Sequence, residues 1–190
     1  SGDRGKILSA LEKWLKAPSP LPVKRVLTGE RPSSRQPAFF MEVPRLIMIV
    51  RGRGTFLTVK DGREEVFDLS AGQVLFLAPC TWICPMPRVA YVSLGAVLRP
   101  DSTRLTLYAR KGMGRDGAVA GGYQAQWHTM ATLGPRGEYL QRLLGSAPVP
   151  RLGDRAFGMQ VEMLLAELAE LVATAPGIER AGHSVLWQSV

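Results

Sequence analysis

The spacing of apolar residues follows a helical period at both ends of the chain and a strand-like period in the middle. Residues 4–16 carry apolar side chains at steps of three and four, behind Asp3, which is a competent N-cap. Three prolines between residues 18 and 22 end this pattern. The sequence therefore predicts an opening amphipathic helix and then an extended arm to residue 37, with at most a short strand at residues 23–27.

The middle of the chain, from residue 38 to residue 98, alternates short β-prone runs with turn residues. Asp61 and Gly62 form a two-residue hairpin signal, residues 70–72 form another turn, and residues 52–54 supply a bend. Closely spaced strands with tight turns predict a barrel or a sandwich. Several strands are apolar on both faces, which suits a barrel that is lined inside and covered by helices outside. The predicted strands are residues 46–50, 55–59, 66–69, 74–77, 81–83 and 91–97.

Helical spacing returns after a glycine-rich stretch at residues 112–122 and predicts helices over residues 137–145 and 155–174. The second of these helices carries a continuous apolar stripe, which must be buried. Two arrangements remain open, one with the stripe against the chain's own barrel and one with the stripe against a second copy in a homodimer. The candidate dimer contacts are Val161, Leu164, Leu165, Leu168, Leu171 and Val172.

The length and charge of the chain narrow its class. Its 190 residues are enough for one domain with a sizeable core. No apolar run reaches the length needed to cross a bilayer, and the N-terminus lacks the apolar block of a secretory signal, so we expect a cytoplasmic protein without membrane contact. The net charge is +8, from basic residues scattered along the chain. Such scattering is typical of a solvated surface, with a phosphate-binding face as the alternative.

The residues that could hold a catalytic metal are few. A metal enzyme built on a barrel of this kind would need several histidines and a carboxylate on adjacent strands. The chain has two histidines, His128 and His183, and both fall outside the predicted β-block. Cys80 and Cys84 on one strand would have α-carbons about 13 Å apart, too far for a disulfide, and no second ligand pair lies nearby. The sequence therefore predicts no catalytic residue, no metal site and no cofactor.

A barrel interior without reactive groups is suited to binding a small molecule. By strand alternation Trp82 shares one face with Cys80 and Cys84, and apolar residues of neighbouring strands would complete a pocket around it. Arg45, near the rim, would fix a polar or anionic group of the ligand. The alternative is that all of these side chains fill the core. The candidate ligand-binding residues are Arg45, Met48, Phe76, Cys80, Trp82, Cys84 and Tyr91.

Three segments of the β-block resemble the N-terminal arm and barrel of the AraC family of bacterial transcription regulators. They are residues 49–54 (IVRGRG), 61–64 (DGRE) and 69–79 (LSAGQVLFLAP), in the order and at the spacing of that family. The family commonly has Pro-Gly-Asp where residues 71–73 read Ala-Gly-Gln, and it often has a histidine after the following proline, which residues 80–84 lack. These departures weaken any inference of a metal or sugar ligand from the resemblance.

The resemblance implies a mainly β fold, a cupin-like double-stranded β-helix (jelly-roll) barrel with flanking helices, that binds a small-molecule effector and forms a homodimer. It also implies that DNA is bound by a helix-turn-helix domain beyond the chain, because residues 184–190 look like the opening of that half. The implied organisation is a helix and arm (1–37), the barrel (38–110), a connecting loop with C-terminal antiparallel helices (111–176) and a linker (177–190). A stand-alone cupin enzyme and a purely structural dimerisation module are the alternatives.

Overall fold

The computed structural model describes residues 2–33, 38–86, 89–110, 124–145, 152–174 and 178–179. Within these ranges the chain is mainly β, with three helices beside a large, open, mixed sheet. The helices are α1 (Asp3–Lys16), α2 (Pro135–Gly145) and α3 (Asp154–Thr174). The strands are β1 (Val23–Val26), β2 (Phe39–Met41), β3 (Arg45–Lys60), β4 (Arg63–Ser70), β5 (Val74–Leu77), β6 (Thr81–Met86), β7 (Tyr91–Leu98), β8 (Thr103–Arg110), β9 (Gln124–Ala131) and β10 (Ile178–Glu179).

Strand β3 is shared by two groups of strands. Its N-terminal half pairs with β5 and β7, and the sheet continues from β7 through β8 and β9 to β10. Its C-terminal half pairs with β4 over residues 53–60 and with β6 over residues 55–57, and β6 also pairs with β2. The pairing of β1 with β5 is parallel, which makes the otherwise antiparallel sheet mixed.

The change of partners along β3 occurs at a β-bulge. The register between β3 and β7 shifts between Ile49 and Arg51, and Gly52 has a φ of +83°. A Cβ atom on Gly52 would lie 2.6 Å from the carbonyl oxygen of Ala90, so glycine fits both the backbone angle and the space. The bend that the sequence predicts at residues 52–54 is therefore a bulge inside one long strand, and the two strands predicted on either side of it are continuous.

The main core lies between the helices and one face of the sheet. Phe157 of α3 packs edge-on against Phe76 of β5, with ring centroids 5.0 Å apart. Removing apolar surface of this kind from water is the principal stabilising contribution to a fold. The same buried cluster includes Ile7, Leu11 and Trp14 of α1, Leu140 and Leu144 of α2, Leu94 and Ala96 of β7, and Leu105 and Leu107 of β8.

The segment between α1 and β1 is held against α3. The backbone N–H of Leu21 donates to Oε1 of Glu162 at 2.6 Å, and Oγ of Ser19 donates to Oε2 of the same carboxylate at 3.0 Å. Gly158 lies one turn before Glu162, and a Cβ atom there would overlap the carbonyl oxygen of Leu21. The contact between α3 and this segment therefore leaves no room for a side chain at position 158.

The predicted helices and the mainly β class with flanking helices are confirmed, with helix ends within two residues of the expected positions. Asp3 is not the N-cap, because Gly2 occupies that position and Asp3 is the first helical residue. The strands predicted beyond residue 60 lie within β4, β5, β6 and β7. The strands that the structure describes form an open sheet, so the jelly-roll barrel stays a prediction.

Strand β9 is the largest departure from the sequence prediction. The sequence predicts a connecting loop and helices over residues 111–176, but β9 lies inside this range and pairs with β8. The segment Gln124–Ala131 has a single β-branched residue, so its intrinsic preference for a strand is weak and pairing with β8 decides its conformation. His128 therefore lies on a strand of the sheet and not outside the β-block. The glycine-rich stretch 112–122, His183 and residues 184–190 lie outside the described residues.

Candidate functional site

A cavity of about 140 Å³ is lined by the β2–β6 pair and by strands β3, β7 and β8. Arg45, Leu46 and Ile47 at the start of β3 line the cavity, whereas Met48 belongs only to the main core. Phe40 lines the cavity and is 43% exposed, so it lies at the mouth. The other apolar residues of the wall include Phe39, Met41, Ile83, Pro85, Ala96 and Val97.

Arg45 is the most deeply buried charged group in the cavity wall. The residue is 7% exposed, and Nη2 donates a hydrogen bond of 2.8 Å to the carbonyl oxygen of Thr81. The neighbouring Nε atom is buried and has no acceptor within the described ranges. Burial lowers the pKa of Arg45 to about 10, so the guanidinium is still charged at neutral pH. The cavity therefore holds a desolvated positive charge.

Arg104 and Tyr108 of β8 add a second polar region to the same wall. Burial lowers the pKa of Arg104, with a smaller opposing effect of Tyr108 and a further lowering by Arg99. Burial also raises the pKa of Tyr108, and a hydrogen bond with Thr106 and the charge of Arg104 oppose this change. The tyrosine is therefore neutral at physiological pH.

Of the seven ligand-binding residues predicted from the sequence, Arg45 lines this cavity. Trp82 is on the opposite face of β6 from Ile83 and Pro85, which do line it. Its ring lies 5.2 Å from the ring of Phe40, and the guanidinium of Arg31 lies 5.4 Å from its centroid. The predicted aromatic plate is therefore beside the cavity mouth, on the outer face of β6.

The other predicted residues are distributed over three different places. Met48 and Phe76 are fully buried in the core under the helices, and Tyr91 is in a second cluster with Phe56 and Leu69. Cys84 is buried with Leu57 and Val59, whereas Cys80 is exposed and precedes β6 in a turn with a φ of +57°. Cys80 and Cys84 therefore do not share a strand face, and no disulfide joins them. A role of these residues in ligand binding stays a prediction.

Several residues of the cavity wall were missed by the sequence interpretation. Arg104 and Tyr108 alternate with Leu105 and Leu107 along β8, and this alternation is a signal for a half-buried strand with its polar side facing the cavity. The three residues of β2 carry no comparable signal. Their run is short, and its pairing with β6 brings together residues about 40 positions apart in the chain.

The six residues of the α3 stripe are buried within the chain itself. Their exposed fractions lie between 0% and 7%, and all six belong to the main core with α1 and the sheet. Of the two arrangements left open by the sequence, these side chains adopt the one in which the stripe packs on its own chain. A homodimer stays a prediction, and its contacts would have to involve other surfaces of α3 or other elements.

The described residues contain no cluster of three or more histidine, cysteine, aspartate or glutamate side chains placed to hold a metal ion. Likewise, none of the helices in the described ranges has both the length and the apolar composition that crossing a bilayer requires.

No model of a known protein family matches the chain, and no curated protein matches it at a significant level. The cavity and the resemblance carried by residues 49–79 are therefore the features from which a function can be inferred.

Proposed function

We propose that the chain is the ligand-sensing and dimerisation domain of an AraC-type transcription regulator, in which a helix-turn-helix domain C-terminal to the chain binds DNA. The observation that carries this proposal is the cavity, whose mainly apolar wall includes the buried charge of Arg45. Small molecules bind in concave apolar sites that contain a few directed polar groups. The resemblance of residues 49–79 to the AraC family points to the same role.

In this proposal the sheet is part of a cupin-like double-stranded β-helix, with the cavity as its interior. Support for this arrangement comes from β3, whose two halves belong to two groups of strands. One group supplies β2 and β6 to the cavity wall, and the other supplies β7 and β8. A single bulged strand that connects two facing groups is suited to enclosing a ligand between them.

In this proposal the N-terminal arm responds to an occupant of the cavity. The carbonyl oxygen of Gly29 accepts a hydrogen bond from the backbone N–H of Trp82 at 3.1 Å, and the backbone N–H of Glu30 donates to the carbonyl oxygen of Val59 at 2.8 Å. The arm is thus attached to β6 at Trp82 and to the C-terminal end of β3 at Val59. A ligand that binds better to one arm position than to another would shift the population between them, and the attached DNA-binding domains would follow.

Thermal-shift screening against sugars, organic acids, and neutral and charged aromatic compounds tests the ligand-binding part of the proposal. A compound that binds only the folded state raises Tm by mass action. We expect at least one class to do so. If no compound of any class raises Tm, the result would favour a purely structural dimerisation module over a ligand-sensing domain.

Metal analysis and sedimentation test the other parts of the proposal. Stoichiometric iron, manganese or zinc in the purified protein would favour the stand-alone cupin enzyme. Sedimentation equilibrium should give a dimer, and a monomer at all concentrations would contradict the dimerisation role. The reading frame of the gene should continue past Val190 into two helix-turn-helix units, and a stop codon at that point would contradict the regulator assignment.

A further inference from the structure

The wall of the cavity has positive charge without negative charge. It includes two arginines, and none of its residues in the described ranges is an aspartate or a glutamate. Apart from these arginines, Ser93 and Tyr108, the wall is apolar or glycine. An occupant that complements this wall must bring its own negative charge and an apolar body.

Arg45 has hydrogen-bonding capacity that its contacts in the chain do not use. A guanidinium carries five N–H donors, and the structure gives Arg45 one hydrogen bond, to Thr81, while Nε has no acceptor within the described ranges. None of the ion pairs among the described residues includes Arg45. Buried charges in folded proteins are normally paired, and no carboxylate of the described residues pairs with this one. Arg45 is therefore suited to pairing with an anionic group from outside the described residues.

A second guanidinium lies on the same wall. Arg45 is opposite Val97 in the β3–β7 register, and Val97 is opposite Arg104 in the β7–β8 register. The three residues form one row across the sheet, and both arginines line the cavity. Because neighbouring strands are about 4.8 Å apart, the two arginine α-carbons are about 10 Å apart, a distance over which both side chains can approach one anionic group.

We infer that the cavity binds an organic carboxylate with a compact apolar body, whose carboxylate pairs with Arg45. This inference deepens the proposed ligand-sensing function and rests on it. The planar guanidinium suits a carboxylate because it can donate two parallel hydrogen bonds to its two oxygens. The apolar body contacts the wall around Ile47 and Ile83.

The size of the cavity limits the apolar body. A volume of about 140 Å³ is close to that of an engineered apolar cavity of about 150 Å³ that holds one benzene molecule. The expected body is therefore one aromatic ring or an alkyl chain of comparable volume. A larger ligand would have to extend through the mouth beside Phe40, which is 43% exposed.

Two pairs of probes separate charge from shape. Benzoate and benzamide have nearly the same shape, as do hexanoate and hexanamide, but only the carboxylate of each pair is charged at pH 7. We expect titration calorimetry on the whole chain to show binding of at least one carboxylate, with its amide at least about tenfold weaker, as loss of a charge-assisted hydrogen bond predicts. This comparison needs no variant.

Variants at Arg45 then test whether its guanidinium is the group that binds the carboxylate. Arg45→Met should weaken carboxylate binding about 10- to 100-fold, and Arg45→Lys, which keeps the charge but loses the planar fork, should give an intermediate value. The matched control is Arg51→Met, because Arg51 is exposed and lies about 20 Å away along the same strand. It should bind like the parent chain.

The outcomes separate this inference from the function on which it rests. Equal binding of acid and amide, or unchanged carboxylate binding in Arg45→Met, would overturn the anion assignment and leave the sensor proposal standing. Binding of neutral compounds alone would do the same. If no compound of any class binds the parent chain, both the inference and the ligand-sensing function are wrong.

Discussion

Arg45 and Arg104 lie in one row across the sheet, on either side of Val97, and both line the same cavity. Folding brings these two positive charges, 59 positions apart in the sequence, onto one apolar wall. Burial lowers the pKa of each guanidinium, which means that the charged forms are held at a cost in stability. An anion bound beside these guanidinium groups would offset this desolvation cost through its electrostatic attraction.

Replacing Arg45 should make the protein without ligand more stable. The pKa of Arg45 is lowered from its ordinary value to about 10, which corresponds to about 3 kcal/mol of desolvation. Loss of the hydrogen bond to Thr81 offsets about 1 kcal/mol of this. We therefore expect Arg45→Met to raise the free energy of unfolding by about 2 kcal/mol in urea titrations. The exposed control Arg51→Met should change it by less than about 0.5 kcal/mol; a clear destabilisation by Arg45→Met would assign Arg45 a structural role.

The stabilisation by Arg45→Met should also depend on pH. Below about pH 10 Arg45 is protonated in both the folded and the unfolded chain, so the full cost is present. Above about pH 10 the folded chain loses this proton while the unfolded chain keeps it, and the contribution of Arg45 to the free energy of unfolding rises with pH. The difference between parent and variant should therefore be constant from pH 6 to pH 9 and shrink above pH 10. A difference that grows above pH 10 would contradict this sign.

Partly filling the cavity should weaken carboxylate binding without unfolding the chain. Ser93 of β7 is 3% exposed and lines the cavity, so the two methyl groups of Ser93→Val would occupy space that an apolar body needs. We expect at least a tenfold loss of affinity by calorimetry, and a change in the free energy of unfolding within the range of about 1–3 kcal/mol that overpacking costs. Ser70→Val is the control, because Ser70 is exposed at the end of β4. Unchanged binding in Ser93→Val would place the ligand elsewhere.

Leu168→Glu should unfold the chain and not merely separate a dimer. Leu168 is fully buried in the core under the sheet, and its replacement combines a lost apolar contact with a buried carboxylate. The expected cost is at least about 4 kcal/mol, visible as loss of the cooperative transition in circular dichroism. Ala166→Glu adds the same charge at an exposed position of α3 and should be nearly neutral. A folded Leu168→Glu monomer would instead restore the role of the stripe in pairing.

Adding one methyl group at Gly158 should destabilise the attachment of α3. In an exposed helix interior, alanine is about 1 kcal/mol more favourable than glycine. At Gly158 the sign should reverse, because the new Cβ would overlap the carbonyl oxygen of Leu21. Gly158→Ala should lower Tm by several degrees in a thermal melt, whereas Gly153→Ala, at the exposed N-cap of α3 with no atom within 4 Å of the new methyl group, should lower Tm by less. Equal melting of the two variants would show that α3 can move away from the arm.

Helices and most strands could be predicted from the sequence because their signals are local. The steps of three and four along α3 require one buried face whatever that face contacts, and Asp61-Gly62 forms the hairpin between β3 and β4 with positive φ at both residues. Strand β9 lacks such a signal, and so does β2. Both are strands because of the partner that folding places beside them.

The choice of which face of each strand meets the cavity was decided by the tertiary structure alone. Strands β3 and β6 are apolar on both faces, so alternation separates their residues into two sets without saying which set is inside. Arg45 could be identified from the sequence, because it is an isolated charge at the start of an apolar strand. This residue does line the cavity. Trp82 and Met48 were assigned to the pocket by the same kind of pattern, but the packing of α3 and the arm placed them on the other faces of their strands.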